Sequence, residues 1–213
     1  MDQTFLVHLA IPLAGYLSGS IPFGLLLGKF FTGKDVRSVG SGNIGATNVA
    51  RAAGAWAGVL TLVLDAAKGA LTVWMAGALT GGSATWRMMA GLAAVAGHCF
   101  PVLLKFKGGK GVATAAGVFG MLCPEAMGAA IVVFAFVVSV WRTVALASIA
   151  AAAAMPLLVY LLWAPRHAPP VAVSLGTLLA GALIIWKHEA NIRRLLAGQE
   201  PRFTIGRNKD KSE

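Results

Sequence analysis

Gly97-His98-Cys99-Phe100-Pro101-Val102-Leu103-Leu104-Lys105-Phe106-Lys107-Gly108-Gly109-Lys110-Gly111-Val112-Ala113-Thr114 is the stretch that decides how this chain is read. Positions 105–111 set three lysines and three glycines in seven places, in a chain with few charges elsewhere, and the stretch lies between two apolar runs. Lacking a Cβ, Gly108, Gly109 and Gly111 let successive backbone N–H groups converge on one point, a nest that suits phosphate oxygens. Lys110 adds a mobile charge, and a helix opening at Val112 would turn its N-terminal end toward the same anion. A loop that only obeys the positive-inside rule needs lysines but not this density of glycine. It is not a Walker A loop, because Leu104 stands five positions before Gly109 and Gly111 follows the lysine where Ser or Thr belongs. The stretch reads as an anion site at a membrane edge.

Composition agrees with the membrane. Of 213 residues, 57% are hydrophobic and 12% charged, and the mean hydropathy is +0.74, far from a soluble domain. Eighteen Lys and Arg against eight Asp and Glu give +10, which in such a chain points to anionic headgroups or substrates and not to nucleic acid. Cys99 and Cys123 are too few for a disulfide framework, and no His/Cys cluster suggests a metal. Asp2 without a basic n-region predicts that the first apolar run is a retained helix and not a cleaved signal.

Apolar runs at 4–28, 52–79, 86–104, 112–122, 126–140, 144–163 and 171–186 predict an all-α integral membrane protein with seven transmembrane helices, the fourth being short. They form one domain over 1–201, followed by a basic cytoplasmic tail over 202–213. Lysines and arginines crowd one face of this layout and leave only Arg87 and Arg166 on the other, which puts the N-terminus outside and the C-terminus in the cytoplasm. Every polar, motif-like loop falls on the basic face.

Two further clusters share that face. Gly40-Ser41-Gly42-Asn43-Ile44-Gly45-Ala46-Thr47-Asn48 precedes Arg51 and supplies Ser, Asn and Thr donors on flexible backbone, with an arginine able to fork onto phosphate. Its literal G-x-G-x-x-G is not a dinucleotide fingerprint, since Asp65, at the expected distance, sits in an apolar run and no parallel strands surround it. Thr47 or Asn48 is expected to cap a helix start. Asp65 and Lys68 are expected to form an intramembrane ion pair. In the last cluster, His188-Glu189-Ala190-Asn191-Ile192-Arg193-Arg194-Leu195 followed by Gly198-Gln199-Glu200, helical spacing puts His188 and Asn191 on one face as a proton acceptor beside an amide.

Residues 40–51 (GSGNIGATNVAR), 97–114 (GHCFPVLLKFKGGKGVAT) and 188–200 (HEANIRRLLAGQE) together resemble the three motifs of the bacterial PlsY family, the acyl-phosphate-dependent glycerol-3-phosphate acyltransferases. The resemblance covers the order and spacing of all three motifs and nearly the whole chain apart from the tail. It implies transfer of an acyl group from acyl phosphate to the sn-1 hydroxyl of glycerol 3-phosphate, giving 1-acylglycerol 3-phosphate and phosphate, with no metal or organic cofactor. It implies a reactive pocket of Ser41, Arg51, Lys110, His188 and Asn191. Arg51, Lys110, His188 and Asn191 would hold glycerol 3-phosphate; Ser41, the loop of Gly108, Gly109 and Gly111 and neighbouring amides would hold acyl phosphate. Gly42, Asn43, Thr47 and Asn48 would brace or line the first motif, and Ser148 would reach glycerol 3-phosphate. Family members often carry a serine where this chain has Ala145. His98 is expected to orient the loop before Pro101. The hydroxyl proton would go to a phosphate oxygen of the donor, with His188 positioning the nucleophile; His188 as general base is the alternative. A bacterial inner-membrane setting, a monomer, membrane lipid around it, no nucleic acid, and a soluble acyl-phosphate-making enzyme as pathway partner complete what the resemblance implies.

Overall fold

The computed structural model describes residues 3–163 and 168–202, with side chains from residue 6, and every regular element among them is helical. The Arg166 counted above and residues 203–213 of the expected tail lie outside the described residues. Helix α1 (Gln3–Gly19) is followed by α2 (Phe23–Thr32), a 3₁₀ turn (Val36–Ser38) and α3 (Ala46–Ala53). Then come α4 (Ala55–Leu79), α5 (Ala84–Cys99), a second 3₁₀ turn (Val102–Leu104) and α6 (Val112–Leu122). The series closes with α7 (Pro124–Trp141), α8 (Val144–Trp163), α9 (Val171–Lys187) and α10 (Glu189–Leu196).

Among the described residues five helical stretches are long and apolar enough to cross a membrane: Leu6–Thr32, Ala55–Leu79, Ala84–Leu104, Pro124–Trp141 and Val144–Trp163. The pair α9 and α10, bent by 59°, makes a sixth if taken as one. The seven expected runs differ from this count by α6, whose 11 residues rise only about 16 Å against a hydrocarbon core of about 30 Å. Leu9, Leu13, Val132, Phe136, Leu157 and Leu178 point outward, as suits helices whose surroundings are lipid.

Inside, backbones meet because side chains are small. A Cβ on Gly19 would overlap the Ala94 carbonyl, closing α1 on α5, and one on Gly117 would overlap that of Ala66, closing α6 on α4. Helix α4 is thereby central, packed against α1, α3, α5 and α6, while α7, α8 and α9 pack in series and α9 returns to α5. Met88, Val95, Val118, Val159 and Ala180 fill the space between them. Cys99 and Cys123 are free and buried, and His8 stacks on Trp86 at 4.2 Å.

The boundaries depart from the sequence reading in two places that matter. The first run breaks at Ser20-Ile21-Pro22, where Pro22 precedes α2, and α2 runs on to Thr32 before Gly33, in the left-handed region, ends it. Neither Thr47 nor Asn48 caps α3: the cap is Gly45, without a side-chain bond. Asn48 is instead buried in the first turn and turned back on the loop before it. The Asp65–Lys68 pair is present within α4, with Lys68 Nζ 2.8 Å from Asp65 Oδ1.

Candidate active site

A helix leaves its last carbonyls without intrahelical partners, and α5 solves this with the glycine loop. The amide of Gly109 donates to the His98 carbonyl (3.0 Å) and that of Gly108 to the Cys99 carbonyl (3.2 Å), which also accepts from Lys187 Nζ (3.2 Å). Tyr16 donates its hydroxyl to the Phe100 carbonyl (2.7 Å), and Lys187 lies 4.7 Å from the centre of the Phe100 ring. Two amides expected to face an anion are therefore engaged with α5. Among the described residues no acceptor takes the amides of Lys110, Gly111, Val112 and Ala113. Gly111, at φ +82°, caps α6, and the turn it makes opens these N–H groups at the positive end of that helix.

Lys110 stands at the same point. Its Nζ donates to Asn191 Oδ1 (2.5 Å), Asn191 Nδ2 donates to Glu200 Oε1 (2.6 Å), and Arg194 Nε donates to Glu200 Oε2 (2.7 Å). The chain of contacts ties the loop before α6 to α10 and to the segment after it. Burial is the main cause that pulls Lys110 down to about 8; Arg194, Arg51 and Lys187 push the same way, and only Glu200 opposes them. Cations thus converge on a half-buried position with one carboxylate among them, a field that a phosphate would complete.

His188 sits between α9 and α10, 2% exposed, with Nδ1 2.7 Å from the Ile184 carbonyl. A carbonyl only accepts, so Nδ1 carries the hydrogen and Nε2 presents a lone pair. Asn191, 5% exposed, lies on the same side one turn on. Arg193, by contrast, pairs with Glu189 on the exposed face.

The first motif is held by Asn48. Its Oδ1 accepts from the Ser41 amide (2.9 Å), and its Nδ2 donates to the carbonyls of Val36 (2.9 Å) and Asn43 (2.8 Å). Asn43 Oδ1 accepts from the Gly45 amide (2.8 Å). Asn43 and Asn48 shape the loop, while Ser41 and Gly42 are exposed on it and Thr47 is half-buried. Arg51, exposed, extends from α3. Ser148 is buried in α8 and gives its hydroxyl to the Val144 carbonyl (2.9 Å); among the described residues no hydrogen bond joins it to Lys110, His188 or Asn191.

Residues 9–198 match the family of glycerol-3-phosphate acyltransferases. The chain belongs to that family. It is 52% identical over 188 residues to the glycerol-3-phosphate acyltransferase of Trichlorobacter lovleyi, covering 88% of this chain and 93% of that one. The enzyme of the same name from Syntrophotalea carbinolica is 51% identical over 192 residues, 90% of this chain and 95% of that one. The crystal structure of PlsY (YgiH), an integral membrane glycerol 3-phosphate acyltransferase in its glycerol 3-phosphate form, superposes with a TM-score of 0.84 at 42% identity, covering 92% of this chain and 96% of that one. The lysophosphatidic acid form of PlsY superposes with 0.80 at 40% identity, covering 92% of this chain and 95% of that one.

Within this acyltransferase family member the sequence motifs meet in part. Lys110, His188 and Asn191 share one place, with Arg51 close enough to act on the charge of Lys110. Glu200, the last residue of the third motif, links Asn191 to Arg194, a part that motif spacing does not reveal. Gly198, at φ +68°, is the signal that the chain turns back after α10 and brings Glu200 to that helix.

Proposed function

We propose that this acyltransferase takes its acyl group from acyl phosphate and delivers it to the sn-1 hydroxyl of glycerol 3-phosphate at the cytoplasmic face of a bacterial inner membrane. The observation that carries this is Lys110, bonded to Asn191 and lowered in pKa by burial and a field of cations, beside the unengaged amides at the start of α6, because both substrates bring a phosphate to one spot. Lys110, Arg51, His188 and Asn191 hold glycerol 3-phosphate. The amides from Lys110 to Ala113, on the loop shaped by Gly108, Gly109 and Gly111, hold the donor's phosphate together with Ser41. Ser148 and the residues of the first motif line the pocket. The crossings number seven when α6 completes the bundle, with the N-terminus outside and the C-terminus inside. Residues 1–201 form one domain, and 202–213 form a cytoplasmic tail.

In the reaction the sn-1 oxygen attacks the acyl carbonyl carbon, a C–O ester bond forms, and the bond from that carbon to the phosphate oxygen breaks. Acyl phosphate is a mixed anhydride, so the phosphate leaves without help from a metal. The protein positions the hydroxyl and stabilises charge growing on the carbonyl and phosphate oxygens. The sn-1 hydroxyl proton passes to a phosphate oxygen of the donor, and the His188 Nε2 lone pair accepts a hydrogen bond from the neighbouring sn-2 hydroxyl, which aims the nucleophile. Purified protein offered palmitoyl phosphate or a palmitoyl thioester, each with glycerol 3-phosphate, tests the donor. Lysophosphatidic acid from palmitoyl phosphate alone is expected; product from the thioester alone would overturn the donor assignment.

A further inference from the structure

We propose that Asp65, Lys68 and His98 form one buried positioning unit that seats Gly109, and with it Lys110, at the phosphate site; this rests on the reading of that loop given above. All three are sequestered, at 2%, 5% and 4% exposure. Lys68 Nζ lies 2.8 Å from Asp65 Oδ1, donates to the Ile21 carbonyl (2.8 Å) at the break between α1 and α2, and lies 3.1 Å from His98 Nδ1. Asp65 Oδ1 is 3.5 Å from the same ring nitrogen. Nδ1 thus sits between the ammonium and the carboxylate, and the Nε2 edge of the ring faces away from both. That far edge of the ring lies under the glycine loop: a Cβ on Gly109 would land on Nε2, with Cδ2 and Cε1 each at 2.9 Å, so the three nearest atoms all belong to this ring. The residue that places its ring against Gly109 also accepts the Gly109 amide on its own carbonyl (3.0 Å). His98 thus holds the loop from two sides, and Lys68 fixes the ring that does so.

Stability alone is a weak reason for this arrangement. A buried ion pair gains little over apolar residues of the same volume, since desolvation opposes attraction. Its geometric result is specific: it ties α4, α5 and the α1–α2 break to the residue before Lys110.

A double-mutant cycle between positions 98 and 109 tests the unit. Gly109→Ala and His98→Asn, alone and together, are purified in detergent and checked for monodispersity and thermal unfolding. Rates are then measured over ranges of glycerol 3-phosphate and acyl donor. Gly109 lies outside the left-handed region, so the nearest obstacle to alanine is the ring, whereas asparagine keeps an acceptor for Lys68 and withdraws the ring edge. Gly109→Ala is expected to lower kcat/KM on the order of 10²-fold, as displacement by about 1 Å does. In the His98→Asn background the same change is expected to cost less than about threefold, close to the error of additivity. His98→Ser gives a second background without the ring. The combined Asp65→Asn and Lys68→Met change, which removes both charges, is expected to raise KM for the phosphate substrates in folded protein and to add little to His98→Asn. An equal cost of Gly109→Ala in every background, or unchanged kcat and KM on removing both charges, would overturn the proposal. Wild-type protein inert with acyl phosphate but active with a thioester would instead sink the donor reading, and the cycle run on the thioester would still decide this one.

Discussion

Lys110 is ionised below about pH 8 and loses its proton above it, because burial and neighbouring cations disfavour the ammonium. Binding of a phosphate dianion favours the protonated form, so its pKa rises in the complex. The KM for glycerol 3-phosphate is therefore expected to climb above pH 8, toward about tenfold per pH unit, while kcat stays level to higher pH. Lys110→Arg, whose charge does not titrate there, should remove the climb; a Michaelis constant in the wild type that is flat from pH 7 to 9 would contradict the assignment. His188 acts by its Nε2 lone pair in a ring fixed by Ile184. His188→Gln is expected to raise KM more than it lowers kcat. A general base would show the reverse, with a loss in kcat of about 10²–10⁴-fold.

At the scale of elements, α10 and its following turn act as a brace across the site, and Glu200 is its latch. Glu200→Ala leaves Asn191 Nδ2 and Arg194 Nε without their acceptor, at a cost of about 1–3 kcal/mol. A lower unfolding temperature together with reduced kcat/KM is expected, and an unchanged unfolding temperature would argue against the latch. Gly117→Leu should be worse for the fold, since its side chain meets the Ala66 backbone between α6 and α4. The long apolar runs of α8 and α9 were legible from hydropathy, and so was the start of α6 after Gly111, because lipid asks little of a helix beyond length and apolarity. The roles of single polar groups were not. Asn48 was expected to cap a helix and instead bonds to the Ser41 amide and to the carbonyls of Val36 and Asn43. The amides of Gly108 and Gly109 were expected to face an anion and instead satisfy the end of α5. Both depend on which carbonyl happens to be near, a fact of tertiary packing that spacing does not encode.

For the whole molecule, the asymmetry of charge carries the proposed orientation, whereas the number of crossings depends on how the short α6 is supported by its neighbours. The two native cysteines are buried, which leaves a quiet background for labelling. Lys34→Cys and Thr85→Cys, both at exposed positions, are expected to react with an impermeant maleimide from the cytoplasmic and the outer side respectively; the opposite pattern would invert the proposed topology.

In the proposed site Lys110 holds glycerol 3-phosphate through its ammonium, beside the backbone amides that hold the donor's phosphate. Phosphate release from palmitoyl phosphate, followed with and without glycerol 3-phosphate in wild-type and Lys110→Ala protein, tests it most directly. Release that requires glycerol 3-phosphate, matches lysophosphatidic acid formed and collapses in folded Lys110→Ala protein is the predicted result. Release independent of glycerol 3-phosphate, or undiminished in the variant, would contradict it.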